Sequence, residues 1–160
     1  MIDALSQGGA EKQLVLLASG LKGKGYDVKL TTYHQIENFY EKDLKRDEIS
    51  LEVIPSGKSK IKGILGLRNL IKDWHPDIVI CFKDGPSMLA CLTRLTCKFN
   101  LVVSERNTTQ SLSKKEKLKF FLYRLADFII PNSQSQASFI AHNYPNLSPK
   151  VSVINNMVDL

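Results

Sequence analysis

Ile78-Val-Ile-Cys-Phe82 is a run of five apolar residues. That length suits a strand and is far short of the roughly 20 residues a membrane-spanning helix needs. The run does not alternate polar with apolar, so both of its faces must be covered. Leu101-Val-Val103 reads the same way. Strands buried on both faces belong to a parallel sheet flanked by helices, with right-handed crossovers imposed by chain chirality. Just upstream, Leu67, Leu70, Ile71 and Trp74 recur at three- and four-residue spacing. That is the stripe of an amphipathic helix, and it must stop before Pro76.

Outward from this centre the pattern repeats. Val28–Thr32, Leu51–Ile54, Phe128–Pro131 and Val151–Ile154 are further strand candidates. Ala10, Leu14, Leu17, Ala18 and Leu21 line one face of a first helix, which Gly25 brings to a stop. The polar stretch 35–58 predicts a variable loop region with a short helix near Asn38–Lys45. The fold expected is α/β, a Rossmann-like doubly wound parallel sheet of six or seven strands. At 160 residues the chain suits a single domain over 1–160. Only Met1–Leu5 precedes the first helix, so the first strand is expected to be short or truncated, and the chain to be a fragment.

Composition narrows the function classes. Apolar residues make up 43% and charged residues 24%, ordinary for a globular domain. No charged-then-apolar leader opens the sequence, which predicts a cytoplasmic protein. Three cysteines without a CxxC pair argue against a disulfide framework, and His34, His75 and His142 lie far apart, so no metal site is expected. A net charge of +6 favours anionic partners. Aromatics are not interleaved with the basic runs as nucleic-acid stacking requires, so no nucleic-acid partner is expected.

Ser6-Gln-Gly-Gly-Ala-Glu11 falls at a strand-to-helix turn. Adjacent glycines let a ligand approach the backbone, and the first amides of the following helix attract phosphate. The turn is not GxGxxG, and Val28–Thr32 ends without an acidic residue, which disfavours a nicotinamide cofactor.

The stretch from Gly8 through Thr32 resembles the opening helix and second strand of family 4 glycosyltransferases. Three later blocks are similar to the same family in the same order: Pro76–Ile80, Val102–Asn107, and Tyr123–Ser133 followed by Val151–Asp159. The resemblance implies a two-domain enzyme that transfers sugars with retention of configuration, of which this chain is the amino-terminal, acceptor-side half. It implies that Gly8 and Gly9 lie beside the donor's diphosphate, and that Ser104-Glu-Arg-Asn107 replaces a stretch that often carries a histidine. Glu105 is then suited to orient or deprotonate an acceptor hydroxyl, and Arg106 to hold an anionic group. The plainer alternative is a local Glu105–Arg106 ion pair.

Lys83, Asp84, Asn107 and Thr108 fall in loops at the sheet's carboxyl edge and are the candidate acceptor contacts. Asp84 or Ser87 also suits a helix cap. The expected function is transfer from a nucleotide-diphosphate sugar, with no further cofactor, to a cell-surface polysaccharide or glycolipid, with the chain's own carboxy-terminal domain as a partner. Lys114, Lys115, Lys117 and Lys119 open a helix in which Leu118, Phe121, Leu122 and Leu125 can share a face. Such a helix suits peripheral contact with an anionic membrane at the inner face of the cell. The alternative function is a non-catalytic module that binds such a membrane through this helix.

Overall fold

The computed structural model describes residues 1–34, 39–54, 59–106 and 110–157. Strand β1 (Lys29–Thr32) pairs in parallel with β2 (Ser50–Val53). Strands β3 (Ile78–Phe82), β4 (Asn100–Glu105) and β5 (Phe128–Pro131) form a second parallel piece in the order β3-β4-β5.

The amino-terminal residues join the two pieces. Ile2 donates its N–H to Thr31 O at 3.0 Å, and Tyr33 donates to Asp3 O at 3.3 Å. On the other side Phe82 donates to Met1 O at 2.9 Å, and the Met1 amino group donates to Ile80 O at 2.7 Å. The extended segments therefore run β2, β1, Met1–Asp3, β3, β4, β5, the doubly wound order. Direction of winding reverses between Met1–Asp3 and β3.

Among the described residues five strands stand where six or seven were expected. Met1–Asp3 is too short to complete a ladder. At the other edge only Val151 bridges to Ile129, although Ser152 and Ile154 donate N–H groups to Ile129 O and Pro131 O at 3.1 and 3.2 Å. Both rows are present as hydrogen-bonded extended chain.

Six α-helices cover the sheet among the described residues: α1 (Gly9–Gly23), α2 (Glu41–Arg46), α3 (Lys60–Trp74), α4 (Asp84–Thr93), α5 (Lys114–Leu122) and α6 (Gln134–Asn143). The start of α3 is fixed by Ser59, whose Oγ accepts from Lys62 N–H at 3.3 Å. Its end is a left-handed His75 just before Pro76. The core lies in two parts. Ile2 and Phe82 pack with Leu14, Val15, Ala18 and Leu44 of α1 and α2. Met1 and Cys81 pack with Leu67, Ile71, Cys91 and Phe120 of α3, α4 and α5. Neighbouring strand residues point to opposite faces, so these parts lie on the two sides of the sheet. All three cysteines are free, with Cys81 and Cys91 buried.

Candidate active site

The carboxyl ends of the parallel strands bring most of the candidate residues to one edge of the sheet. The chain leaves Met1–Asp3 at its carboxyl end and turns through Ser6 to Gly9 into α1. Gly8 is the residue before the first helical position, with extended backbone at φ −172°, and no side chain caps α1. The first amides of a helix have no partner within it and carry its positive dipole end. Gly8 is held from its other side: its carbonyl accepts from Lys12 N–H at 3.0 Å and from the Tyr40 hydroxyl at 3.2 Å.

The two glycines differ in what surrounds them. A Cβ on Gly8 would collide with the Glu11 carboxylate. A Cβ on Gly9 would meet nothing within 4 Å. A side chain at position 8 would have to displace the Glu11 carboxylate, whereas the described residues leave position 9 open.

Glu11 is only 3% exposed, which its place one step into a polar turn did not reveal. Its Oε1 accepts from Ser6 Oγ at 3.2 Å and from Lys83 Nζ at 2.6 Å. Lys83 Nζ also lies 3.1 Å from Asp3 Oδ1. Lys83, grouped in the sequence with the acceptor contacts, therefore leans across the reversal point toward the glycine turn. It does so from a left-handed backbone, φ 71°, which costs about 1 kcal/mol or more in a residue with a Cβ. Burial pulls its ammonium down, but the hydrogen bonds it donates to Glu11 and Asp3 outweigh that and the net shift is upward. The Tyr33 hydroxyl is pushed up to about 12, first by burial and then by the Asp3 charge.

Asp84 turns the opposite way from its neighbour. It opens α4 without capping it, and Ser87 is buried in the first turn. The Asp84 carboxylate lies 3.4 Å from Lys119 Nζ and 3.8 Å from Lys115 Nζ. Lys119 also lies 2.9 Å from Glu105 and 2.7 Å from Glu116. Its side chain has 0% exposure, so the expectation that it meets a membrane is corrected. Glu105 is likewise buried, at the end of β4, and its pair is Lys119 rather than Arg106.

Arg106 points to the carboxy-terminal tail. Its Nε donates to Ser104 Oγ at 2.7 Å, Nη1 donates to Asn156 Oδ1 at 2.6 Å, and the guanidinium lies 4.3 Å from the Phe82 ring centre. Burial lowers its pKa. Gln13 on α1 grips the same tail: its amide donates to Met157 O at 2.8 Å and its Oε1 accepts from Met157 N–H at 2.7 Å. A lone glutamine within an apolar helix stripe was the available signal for that clamp. Asn107 and Thr108 lie outside the described residues.

The outward face of α5 carries Lys114, Lys115 and Lys117 as expected, together with Leu118 and Phe121 at 51% and 61% exposure. Leu112 and Arg124 are exposed beside them. The face grouped from Leu118, Phe121, Leu122 and Leu125 is split: Leu122 is buried and Leu125 packs against the core, while Leu118 and Phe121 are exposed. Glu116, Lys119, Phe120 and Tyr123 face the core instead. Among the described residues no helix is long and apolar enough to cross a membrane. An apolar groove of about 480 Å³ between α1 and α3 is lined by Leu17, Leu21, Leu70, Trp74 and Ile78 at the amino ends of the strands, and none of the site residues borders it.

Fold and site together define a doubly wound α/β domain that offers helix amides at its carboxyl edge, where such sheets bind ligands. The model of Glycosyltransferase Family 4 matches residues 7–160. The chain belongs to that family. It is 30% identical over 132 residues to GalNAc-alpha-(1->4)-GalNAc-alpha-(1->3)-diNAcBac-PP-undecaprenol alpha-1,4-N-acetyl-D-galactosaminyltransferase of Campylobacter jejuni subsp. jejuni serotype O:2, covering 79% of this chain and 36% of that enzyme. Among solved structures it is similar to Anabaena Alr3699/HepE in complex with UDP, with a TM-score of 0.78 at 14% identity over 99% of this chain and 43% of the other. The lipopolysaccharide outer core galactosyltransferase WaaB in its apo form gives a TM-score of 0.77 at 17% identity over 99% and 45%. The chain thus spans less than half the length of each of these proteins.

Proposed function

We propose that this chain is the acceptor-side domain of a retaining glycosyltransferase that moves a sugar from a nucleotide-diphosphate donor to a glycolipid or cell-surface polysaccharide precursor. The observation that carries this reading is the Gly8-Gly9 turn at the carboxyl edge, beside the point where the winding reverses, with the described residues leaving the second glycine open. Helix amides there suit a diphosphate. The solved relative holds UDP, and the curated relative is named for an undecaprenol-linked acceptor. The donor is assigned to the cleft between this edge and a second domain, and the acceptor to the side of α4, β4 and the residues after Arg106.

In this reading Glu105 is a positioning residue, because its carboxylate is held in the ion cluster and faces no solvent. Arg106 and Gln13 hold the tail that leads toward the second domain. The outer face of α5, with Leu118, Phe121, Lys114 and Lys117, is the membrane contact, at the cytoplasmic side.

Titration of the chain with UDP, followed by amide NMR, tests the donor assignment. The amides of Gly8, Gly9 and Ala10 are expected to shift, and Gly9→Val is expected to abolish the shift while leaving the rest of the spectrum in place. Shifts confined to another part of the chain, or a Gly9→Val chain that binds as before, would remove the assignment.

A further inference from the structure

The cluster at the reversal point holds one ammonium against two carboxylates. Lys83 Nζ is 2.6 Å from Glu11 Oε1 and 3.1 Å from Asp3 Oδ1. These three side chains come from different places: Asp3 from the segment before the turn, Glu11 from the first turn of α1, and Lys83 from the end of β3. They meet where Gly8 ends the loop, because the Glu11 carboxylate fills the space a Gly8 Cβ would take. A negative charge is favourable at a helix amino end, yet the same carboxylate stands beside the amides to which a diphosphate would bind. With Asp3 added, the entrance to the turn would repel any anion unless a cation offset it. Among the described residues Lys83 lies within contact distance of both acids.

We propose that Lys83 is a positioning residue for donor binding: its single positive charge offsets one of the two negative charges of Asp3 and Glu11 and holds the Glu11 carboxylate against Gly8, so that the glycine turn presents a less negative entrance to the diphosphate. This rests on the donor reading above and moves Lys83 from the acceptor side to the donor side. Because the role is one of charge balance, it depends on the sum of charges at the turn rather than on contact between Lys83 and phosphate.

The test uses inorganic pyrophosphate as the probe and the amide shifts of Gly8 and Gly9 as the readout. Lys83→Met is expected to weaken binding roughly five- to tenfold, the effect of one unit charge across a partly wetted cleft. Lys83→Arg, which keeps the charge, restores most of it. Asp3→Asn alone, which keeps the side chain's shape and removes its charge, tightens binding by a similar factor. The double variant Lys83→Met/Asp3→Asn returns to near the wild-type affinity. If the double variant stays as weak as Lys83→Met, the lysine grips the phosphate directly and the balance proposal is overturned. It is overturned equally if Asp3→Asn leaves affinity unchanged. A wild-type chain whose glycine amides ignore pyrophosphate would instead strike the donor reading itself, and this proposal with it.

Discussion

Lys119 has no accessible surface, and its Nζ lies within 3.4 Å of three carboxylates, Glu105, Glu116 and Asp84. Burial pulls the ammonium down, but the charges and hydrogen bonds of those acids raise it above its ordinary value of 10.5. A raised lysine contributes its stability fully below that value and loses it as pH climbs through the folded value. Removing one member of a buried ion cluster strands the others, at a cost of about 3–5 kcal/mol. Lys119→Met is therefore expected to lower stability by that amount in urea unfolding at pH 7. Stability is expected to recover as the pH falls and the stranded acids take up protons. A variant equally unstable at pH 4 and pH 7 would show that lost packing, not stranded charge, is responsible. Nothing in the one-dimensional pattern marked this lysine out, since a buried cation and an exposed one have the same name in a sequence.

At the scale of single elements, α5 is where sequence and structure part. Its start is legible: Ser113 precedes the helix, and its Oγ accepts from Glu116 N–H at 3.2 Å. Ser113→Ala is expected to cost about 1 kcal/mol, within the usual range for an amino-terminal cap, read as a lower urea midpoint and faster hydrogen exchange in the first turn of α5. An unchanged midpoint would mean that the cluster around Lys119 orders the helix by itself. The helix's phase is another matter. Periodicity grouped Leu118, Phe121, Leu122 and Leu125 on one face, but the core takes Leu122 together with Glu116, Lys119, Phe120 and Tyr123, and leaves Leu118 and Phe121 exposed. Charged residues satisfied by one another can sit inside, and large apolar ones are then left outside. By contrast Ile78–Phe82 and Phe128–Pro131 were bounded as the structure has them, because their neighbours Pro76, Lys83, Asp127 and Asn132 interrupt the apolar run.

For the whole molecule, net charge and the outward face of α5 combine into one expectation. With Leu118 and Phe121 exposed among Lys114, Lys117 and Arg124, the chain should sediment with vesicles containing an anionic phospholipid more than with vesicles of phosphatidylcholine alone. Each lysine near such a surface contributes about 1 kcal/mol. The double change Lys114→Glu/Lys117→Glu should therefore weaken binding by more than tenfold, and Phe121→Ser should weaken it on both kinds of vesicle. Undiminished binding by the charge-reversed chain would remove the membrane from the proposal and leave the donor assignment untouched. The two faces of α5 also tie this surface to the edge proposed for the acceptor, since Lys119 on its inner face holds Glu105, next to Arg106.

By itself the sequence determined the class of fold, the parallel direction of the strands and the place of the glycine turn. Each of these follows from local patterns: apolar runs, helix stripes and turn residues act within a few positions of one another. Only the tertiary structure decided which charges are buried, that Lys83 reaches Asp3 and Glu11, that Glu105 pairs with Lys119, and that Arg106 and Gln13 hold the tail. Those outcomes join residues as far as 144 positions apart. Their energies depend on distance and burial, which arise only when the sheet brings its carboxyl ends together.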